Sequence, residues 1–262
     1  MKDYNRAFFS GLDARLSRSA EIIVPLIIDL INPCSVIDIG CGTGGWLAVF
    51  KSHHIDDILG VDGEWVPDKL LQIPRPCFLA HDLTKPIRIE RRFDLAISLE
   101  VGEHLERDCA RNFVQTLVKL SSVVVFSAAI PYQGGTHHVN EQWPDYWAEL
   151  FSLHGYVPID CIREKVWNNQ DVDWFYAQNM LVFADRQLLV TNPKLQEGFE
   201  RTRISQLSLV HPKKYLELNV SPGGVSLKYV LRLLPGLITN AIRRRLANST
   251  SQRCYATRVR KM

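Results

Sequence analysis

Two short stretches of the chain carry acids and imidazoles at spacings that suit metal binding or proton transfer. Glu100, Glu103 and His104 form the pattern E-x-x-E-H, and His137 and His138 follow about thirty residues later. Carboxylates and neutral imidazoles make a mixed oxygen and nitrogen ligand set, which suits Mg²⁺ or Mn²⁺ and, less selectively, Zn²⁺. The sequence therefore predicts a catalytic group of all five residues, in which Glu100, Glu103, His104 and His138 are the metal ligands and His137 or Glu100 accepts a proton.

A helix that begins near Glu100 would place Glu100, Glu103 and His104 on one face, as such a site requires. A simpler interpretation of the same residues stays open. Glu103 is equally suited to start that helix without binding a metal. His137 and His138 would then only contact a polar ligand. Their loop, residues 131–143, is rich in polar and aromatic side chains, which suits recognition of a hydroxyl-rich molecule.

A glycine-dense turn follows a short apolar run at residues 36–46, with the sequence VIDIGCGTGGW. Gly40, Gly42 and Gly44 permit positive φ angles and let a ligand approach the backbone closely. A turn of this kind between a strand and a helix presents free N–H groups to a nucleotide-like molecule. The spacing G-x-G-x-G is not the dinucleotide fingerprint G-x-G-x-x-G, and the lysine of a P-loop is absent. A dehydrogenase is therefore disfavoured.

Hydrophobic patterning places this turn within an alternation of strands and helices. Strands are predicted at 35–39, 58–62, 77–80, 93–98, 123–128, 157–165 and 175–184, and helices at 4–17, 19–31, 45–51, 103–120 and 143–154. This alternation predicts an α/β fold with a doubly wound, mostly parallel seven-stranded sheet and helices on both faces. The last two strands are expected to add an antiparallel edge. In such a sheet the ligand lies at the carboxyl ends of the strands.

Three segments are expected along the chain. Residues 1–33 form a helical cover, residues 34–184 the ligand-binding domain, and residues 185–262 a helical, basic extension. Nine basic residues and no acidic ones follow Glu217, so the first 217 residues carry a net charge of −6 against +3 for the whole chain. Residues 225–246 are amphipathic in places, which predicts peripheral contact with an anionic membrane surface. The same stretch would also hold RNA phosphates or pack on the domain.

Composition limits the remaining classes. Hydrophobic residues make up 46% of the chain and charged residues 23%, which is typical of a globular protein. The six cysteines include no C-x-x-C pair, which disfavours a zinc ribbon or a disulfide framework. No signal peptide or stretch of about 20 apolar residues is apparent. A cytoplasmic protein, with or without membrane contact, is expected.

The order of acids around the glycine turn resembles a known enzyme family. The run D-x-G-C-G-T-G, beginning at Asp38, is similar to motif I of Rossmann-like S-adenosylmethionine (SAM)-dependent methyltransferases. The resemblance covers residues 34–184 and implies that Asp62 binds the ribose, Asp82 and Leu83 the adenine, and Glu100 the methionine end. It implies SAM as the cofactor and the following binding residues: Asp38, Gly40, Cys41, Gly42, Gly44, Trp46, Asp62, Asp82, Leu83 and Glu100.

The E-x-x-E-H pattern carries two further resemblances. With the later His138, it is similar to the site of small-RNA 3′-terminal 2′-O-methyltransferases, and the pattern itself is shared by ubiquinone-type O-methyltransferases. Residues 131–183 are similar to bacterial methyltransferase-domain proteins associated with surface-polysaccharide biosynthesis. These resemblances imply a metal, Mg²⁺ or Mn²⁺, that binds two acceptor oxygens and lowers the pKa of one hydroxyl.

The sequence thus predicts a SAM-dependent O-methyltransferase that acts on a sugar hydroxyl of a glycan, glycolipid or polysaccharide. A terminal-ribose RNA 2′-O-methyltransferase, a quinone or catechol O-methyltransferase and a SAM-binding non-catalytic module remain alternatives. Nucleic acid is the less favoured partner, because the positive charge is confined to the tail. The sequence does not indicate an oligomeric state.

Overall fold

A seven-stranded sheet forms the centre of the molecule. The computed structural model describes residues 6–220 and the single positions 231, 234 and 235, with side chains from residue 18 to 217 and at those three positions. The strands are β1 (Ser35–Ile39), β2 (Asp57–Asp62), β3 (Phe78–Ala80), β4 (Leu95–Leu99), β5 (Val123–Ser127), β6 (Tyr156–Ile159) and β7 (Leu181–Asp185). Their order across the sheet is β3-β2-β1-β4-β5-β7-β6.

All neighbouring strand pairs from β3 to β5 are parallel, and β7 runs antiparallel to both of its neighbours, β5 and β6. This order confirms the predicted Rossmann-like, doubly wound, mostly parallel sheet. The last two strands form the antiparallel edge that the sequence predicts, with β7 between β5 and the outer strand β6. The carboxyl ends of β1, β2, β3 and β4 lie side by side at one edge of the sheet.

Helices cover both faces of the sheet. They are α1 (Arg6–Ile31), α2 (Gly45–Ser52), α3 (Ala110–Leu120), α4 (Pro144–Ser152), α5 (Arg163–Val166), α6 (Trp174–Asn179), α7 (Pro193–Arg201) and α8 (Pro212–Val220). The strands alternate between two apolar clusters: in β5, Val123 and Val125 belong to one, and Val124 and Phe126 to the other. Burial on both faces explains why β4 and β5 are continuous apolar runs.

The N-terminal region forms one helix where two were predicted, at 4–17 and 19–31. Within the described residues, α1 runs without interruption from Arg6 to Ile31 and contains Pro25. Ser19 does not cap a second helix; its buried hydroxyl accepts a hydrogen bond from the backbone N–H of Asp173, at 3.0 Å. The side chain is therefore used for a tertiary contact.

The helix predicted at 103–120 is also wrong in its first part. Residues 102–104 and 107–109 are short 3-10 turns, and α3 begins only at Ala110. Leu105 and Glu106 are extended, with ψ angles of 137° and 146°, and separate these elements. Glu100, Glu103 and His104 therefore do not share the face of one helix.

Two predicted strands were too long. The strand predicted at 157–165 ends at Ile159, because Arg163 is drawn into the interior and binds Asp160 through two hydrogen bonds. The strand predicted at 175–184 is preceded by α6, so β7 begins only at Leu181. Apolar runs of this length do not distinguish a short buried helix from a strand by periodicity alone.

The chain divides into two compact units, residues 1–211 and 212–262. The boundary predicted at residue 185 stays a prediction; α7, which lies beyond it, packs against β6 and α1 in the first unit. The amphipathic segment predicted at 225–246 lies outside the described residues, apart from the three single positions. Among the helices that are described, none is long and apolar enough to cross a membrane.

Candidate functional site

The glycine turn connects β1 to α2 in the backbone conformation that its sequence predicts. Gly40, Gly42 and Gly44 have φ angles of 89°, 54° and 84°. A Cβ atom on Gly40 would lie 2.3 Å from Val101 Cγ2, so a side chain has no room there. Around Gly42 nothing lies within 4 Å of the equivalent position. The turn therefore packs tightly against the protein on one side and offers open space to a ligand at Gly42.

Asp62 ends β2 beside this turn and holds it in place. Its two carboxylate oxygens accept the backbone N–H groups of Gly42, at 2.7 Å, and Gly63, at 2.6 Å. Burial raises the pKa of Asp62, and these two hydrogen bonds oppose the shift. Asp38 in β1 is 2% exposed. Burial raises its pKa well above the ordinary value, and the nearby charge of Asp62 adds to that effect.

The other predicted cofactor residues lie along the same edge. Asp82 follows β3 and is exposed; its carboxylate accepts hydrogen bonds from the Thr84 backbone and hydroxyl and pairs with Lys85 at 3.1 Å. These bonds lower the pKa of Asp82 to about 2. Trp46, in the first turn of α2, is buried and packs edge-on against Tyr176. Cys41 is buried, and Leu83 half-buried beside Asp82.

Glu100 stands immediately after β4, in a left-handed conformation with a φ of 56°. Its carboxylate accepts hydrogen bonds from Gln133 Nε2, at 2.9 Å, and from Asn179 Nδ2, at 3.1 Å. Burial raises the pKa of Glu100, while bonds from Asn179, Ser127 and Gln133 counteract the shift. Because these amides come from the loop after β5 and from α6, Glu100 is fixed by two distant parts of the chain.

Three of the four predicted metal ligands come together. One ligand atom from each of Glu103, His104 and His138 lies within 4.8 Å of the others. Glu103 is fully buried, and neither of its carboxylate oxygens has a hydrogen-bond partner. Burial and the neighbouring Glu100 raise its pKa well above the ordinary value. Glu100 is not part of this group, because its carboxylate is bound by the amides of Gln133 and Asn179.

His104 is suited to bind a cation as a neutral imidazole. Burial, together with His138, lowers the pKa of His104 to about 4. The rings of His104 and His138 meet edge to face, with centroids 4.9 Å apart. A buried carboxylate without a hydrogen-bond partner is costly. A cation bound by Glu103, His104 and His138 would remove that cost, so the residues present fit a divalent metal.

The loop after β5 closes over the 102–104 turn. The backbone N–H groups of Val139 and Asn140 donate to the carbonyl of Glu103, at 2.9 and 3.0 Å. His137 has a φ of 60° and is exposed. Tyr132 and Trp143, at the two ends of the loop, are 62% and 40% exposed. The predicted proton acceptor His137 is thus exposed, in a loop that also carries two exposed aromatic side chains.

Sequence reasoning gave no role to several residues that build this site. Gln133 and Asn179 bind Glu100, and Glu141 binds His138 through its Nδ1, at 3.0 Å. Gln178 donates to Gln133 and Asn179 and is fully buried. The signal that could have found them is a polar pair, Gln178-Asn179, set between the apolar Ala177 and Met180. Buried amides of this kind need partners.

Comparison with known proteins assigns the family. Residues 5–180 match the model of a methyltransferase domain family, which is more than half of the chain. No curated protein sequence matches.

Several solved structures are similar. The methyltransferase domain of a bacterial Hen1 has 22% identity and a TM-score of 0.50, covering 64% of this chain and 98% of that one. The sugar N-methyltransferase KedS8 from Streptoalloteichus has 13% identity and a TM-score of 0.51, covering 65% and 88%. SAM-bound CalS10, an amino pentose methyltransferase from Micromonospora echinaspora, has 13% identity and a TM-score of 0.50, covering 71% and 99%.

At these identities the solved structures establish the fold, whereas the family model covers the glycine turn, Glu100 and the loop after β5 in one match. The predicted enzyme class and cofactor are thereby confirmed. The chain belongs to the methyltransferase domain family and is a Rossmann-like, SAM-dependent methyltransferase.

Proposed function

We propose that this enzyme methylates a hydroxyl group of a sugar and that a divalent metal held by Glu103, His104 and His138 assists the transfer. The observation that carries the proposal is the fully buried carboxylate of Glu103, which has no hydrogen-bond partner and lies beside two imidazoles. One carboxylate with two imidazoles suits Mn²⁺ better than Mg²⁺, which favours oxygen ligands.

The residues along the β1–β3 edge would hold the cofactor. Asp62 fixes the backbone of the glycine turn and would receive ribose hydroxyls, while Gly42 leaves open space for the ligand. Asp82 and Leu83 would face the adenine. Trp46, in the first turn of α2, would support the glycine turn. When bound, SAM supplies an electrophilic methyl group on its sulfonium, and a metal supplies a Lewis acid for the acceptor oxygen.

The protein's own residues would then position the acceptor and accept its proton. The amides of Gln133 and Asn179 hold the side chain of Glu100 in place after β4, where it would be one candidate for the base. His137 lies on the exposed loop and is the other candidate for the base. A hydroxyl held between the metal group and Glu100 needs correct orientation above all, because alignment supplies much of the rate of a transfer reaction.

A sugar is the favoured acceptor for two reasons. The exposed rings of Tyr132 and Trp143 offer flat faces on which sugar rings stack, and the loop between them is rich in polar groups. The first 217 residues carry a net charge of −6, which disfavours a long polyanionic acceptor on this part of the chain. Among the similar structures, KedS8 is a sugar N-methyltransferase and CalS10 an amino pentose methyltransferase.

The proposal is tested by methyl transfer from radiolabelled SAM to saccharides, to RNA with a free 3′-terminal ribose and to catechols. We expect incorporation into a saccharide, loss of incorporation with a chelator and recovery with Mn²⁺. Transfer to RNA alone would assign the terminal-ribose activity instead, and transfer to catechols alone the quinone-type activity. SAM binding without transfer to any acceptor would favour the non-catalytic module. Methyl transfer at an unchanged rate in the presence of a chelator would contradict the proposal that a metal assists the reaction.

We also propose that the basic tail brings the enzyme to an anionic membrane surface, where lipid-linked glycans would be its substrates. The proposal rests on the sequence alone, because residues 225–246 lie outside the described part of the chain. Deletion of residues 225–262 should abolish binding to liposomes that contain anionic lipid and leave SAM binding unchanged. If the full chain does not bind such liposomes, the membrane proposal is wrong.

A further inference from the structure

The carboxylate of Glu141 connects three points of the loop after β5. One oxygen accepts the backbone N–H of Tyr132, at 2.8 Å. The other accepts the backbone N–H of Gly134, at 2.7 Å, and binds Nδ1 of His138, at 3.0 Å. The side chain is 19% exposed, so these bonds are partly shielded from water. Each of the three donors lies within nine residues of Glu141 in sequence, and together they close residues 132–141 into a compact ring.

This ring holds an unfavourable backbone conformation. Tyr132, Gly134 and His137 all have positive φ angles, of 69°, 71° and 60°. For a residue with a side chain, such a conformation costs about 1–3 kcal/mol and persists only where surrounding contacts enforce it. Two of the three bonds to Glu141 go to the backbone of this segment. Glu141 is therefore a main source of the contacts that keep the loop in shape.

The third bond determines how His138 can act. If Nδ1 carries the proton and donates it to Glu141, Nε2 keeps a lone pair for a metal. Metal-bound histidines commonly donate their other ring N–H to a carboxylate, which fixes the tautomer and raises the basicity of the ligand. The ring also packs on Gly135, where a Cβ atom would lie 2.2 Å from His138 Nε2. The imidazole is thus confined on two sides.

We propose that Glu141 is a positioning residue that sets the tautomer and direction of His138 and thereby aims Nε2 at the metal group. This inference rests on the proposed function, because it takes His138 to be a ligand. The two residues between His138 and Glu141 are tied to the metal group as well, since Val139 and Asn140 donate to the carbonyl of Glu103. The loop therefore joins Glu141, His138 and Glu103 into one assembly.

The first test needs no metal. Long-range ¹H–¹⁵N spectra of the histidine rings of the full chain, recorded at about pH 8, above the ordinary titration range of imidazole, report which nitrogen of His138 carries the proton. We expect the Nδ1–H tautomer in the wild type and a mixture of tautomers in Glu141→Ala. A wild-type Nε2–H tautomer, or a spectrum of His138 unchanged by Glu141→Ala, would overturn the inference.

The second test measures Mn²⁺ affinity by calorimetry, with SAM affinity as the control for folding. Loss of a carboxylate behind a metal-bound histidine typically weakens metal binding about 10- to 100-fold. We expect Glu141→Ala to fall in that range and Glu141→Gln, which keeps an acceptor oxygen, to lose less. SAM affinity should change by less than about twofold, because the glycine turn lies elsewhere. The matched control Glu149→Gln, on the exposed side of α4, should leave both affinities unchanged.

The outcomes separate the two proposals. If the wild type binds Mn²⁺ and both Glu141 variants bind it equally well, the inference is wrong while the metal site stands. If the wild type binds no Mn²⁺, the metal part of the proposed function is wrong, and the tautomer spectrum alone decides whether Glu141 sets the His138 ring. If Glu141→Ala also loses SAM binding, the loop has a general structural role. The Mn²⁺ affinity of Glu141→Gln then decides whether Glu141 also positions His138.

Discussion

The site has a cofactor side, along the ends of β1, β2 and β3, and an acceptor side, formed by residues after β4 and β5. The acidic side chains of the two sides differ in their hydrogen bonding. On the cofactor side, Asp62 is bound by two backbone N–H groups and Asp82 by Thr84 and Lys85. On the acceptor side, the carboxylate of Glu103 is fully buried and neither of its oxygens has a hydrogen-bond partner. This difference supports the proposal that the acceptor side binds a cation.

The two sides also differ in the sequence separation between each acidic residue and its hydrogen-bond partners. Asp62 binds Gly42, 20 residues away, and Asp82 binds residues two and three positions on. Glu100 is held by Gln133, 33 residues away, and by Asn179, 79 residues away. The position of Glu100 therefore depends on how the loop after β5 and α6 pack together.

The largest effect is expected at Glu103. Glu103→Gln keeps the shape of the side chain and removes the only carboxylate of the metal group. We expect methyl transfer and Mn²⁺ affinity to fall by more than about 100-fold, which exceeds the usual effect of a residue behind a ligand. SAM affinity, measured by calorimetry, should stay within about twofold. Unchanged Mn²⁺ affinity in this variant would remove the contrast between the two sides.

Asp62 gives the matching test on the cofactor side. Asp62→Ala leaves the N–H groups of Gly42 and Gly63 without their acceptor and removes the predicted ribose contact. A buried donor without a partner costs about 1–3 kcal/mol, which corresponds to roughly a 5- to 150-fold loss of SAM affinity. Mn²⁺ affinity should be unchanged. Equal SAM affinity of the variant and the wild type would show that the ribose assignment is wrong.

A smaller effect is expected at Asn179, whose side-chain amide donates a hydrogen bond to Glu100. Asn179→Ala removes one donor to Glu100 and leaves a small cavity in the network. We expect the free energy of unfolding in urea to fall by about 2 kcal/mol. The control Asn168→Ala, at an exposed position, should change it by less than about 0.5 kcal/mol. Similar losses in both variants would mean that Glu100 does not depend on this network.

The smallest effect concerns pH. The pKa of His104 is lowered to about 4 from an ordinary value of 6.5, so the folded protein binds fewer protons at this site than the unfolded chain. The stability that His104 contributes is therefore fully present above pH 6.5 and is lost as the pH falls toward 4. His104 keeps an exposed part even though its ring has lost some of its hydration to neighbouring groups, so solvent reduces this contribution. Urea unfolding between these pH values should show a shallower loss of stability for His104→Asn, and equal slopes would contradict the shift.

The sequence was most informative where function depends on local backbone chemistry. The glycine turn and the acids at the ends of β1, β2 and β3 follow from short motifs, and the doubly wound sheet follows from apolar runs. The sequence did not predict the extended residues Leu105 and Glu106 that separate Glu103 from α3. It also did not predict the left-handed φ of Glu100, because the partners that hold this side chain lie far away in the sequence. For the same reason it did not separate Glu100 from the metal group or reveal the role of Glu141.

The central claim is that Glu103, His104 and His138 bind a divalent metal on the acceptor side of a SAM site. The most direct test is a crystal structure of the full chain with SAM and Mn²⁺, using anomalous scattering to locate the metal. We expect one anomalous peak among these three side chains, at about 2.0–2.3 Å from their ligand atoms. SAM in the glycine turn with no peak beside Glu103 would contradict the claim.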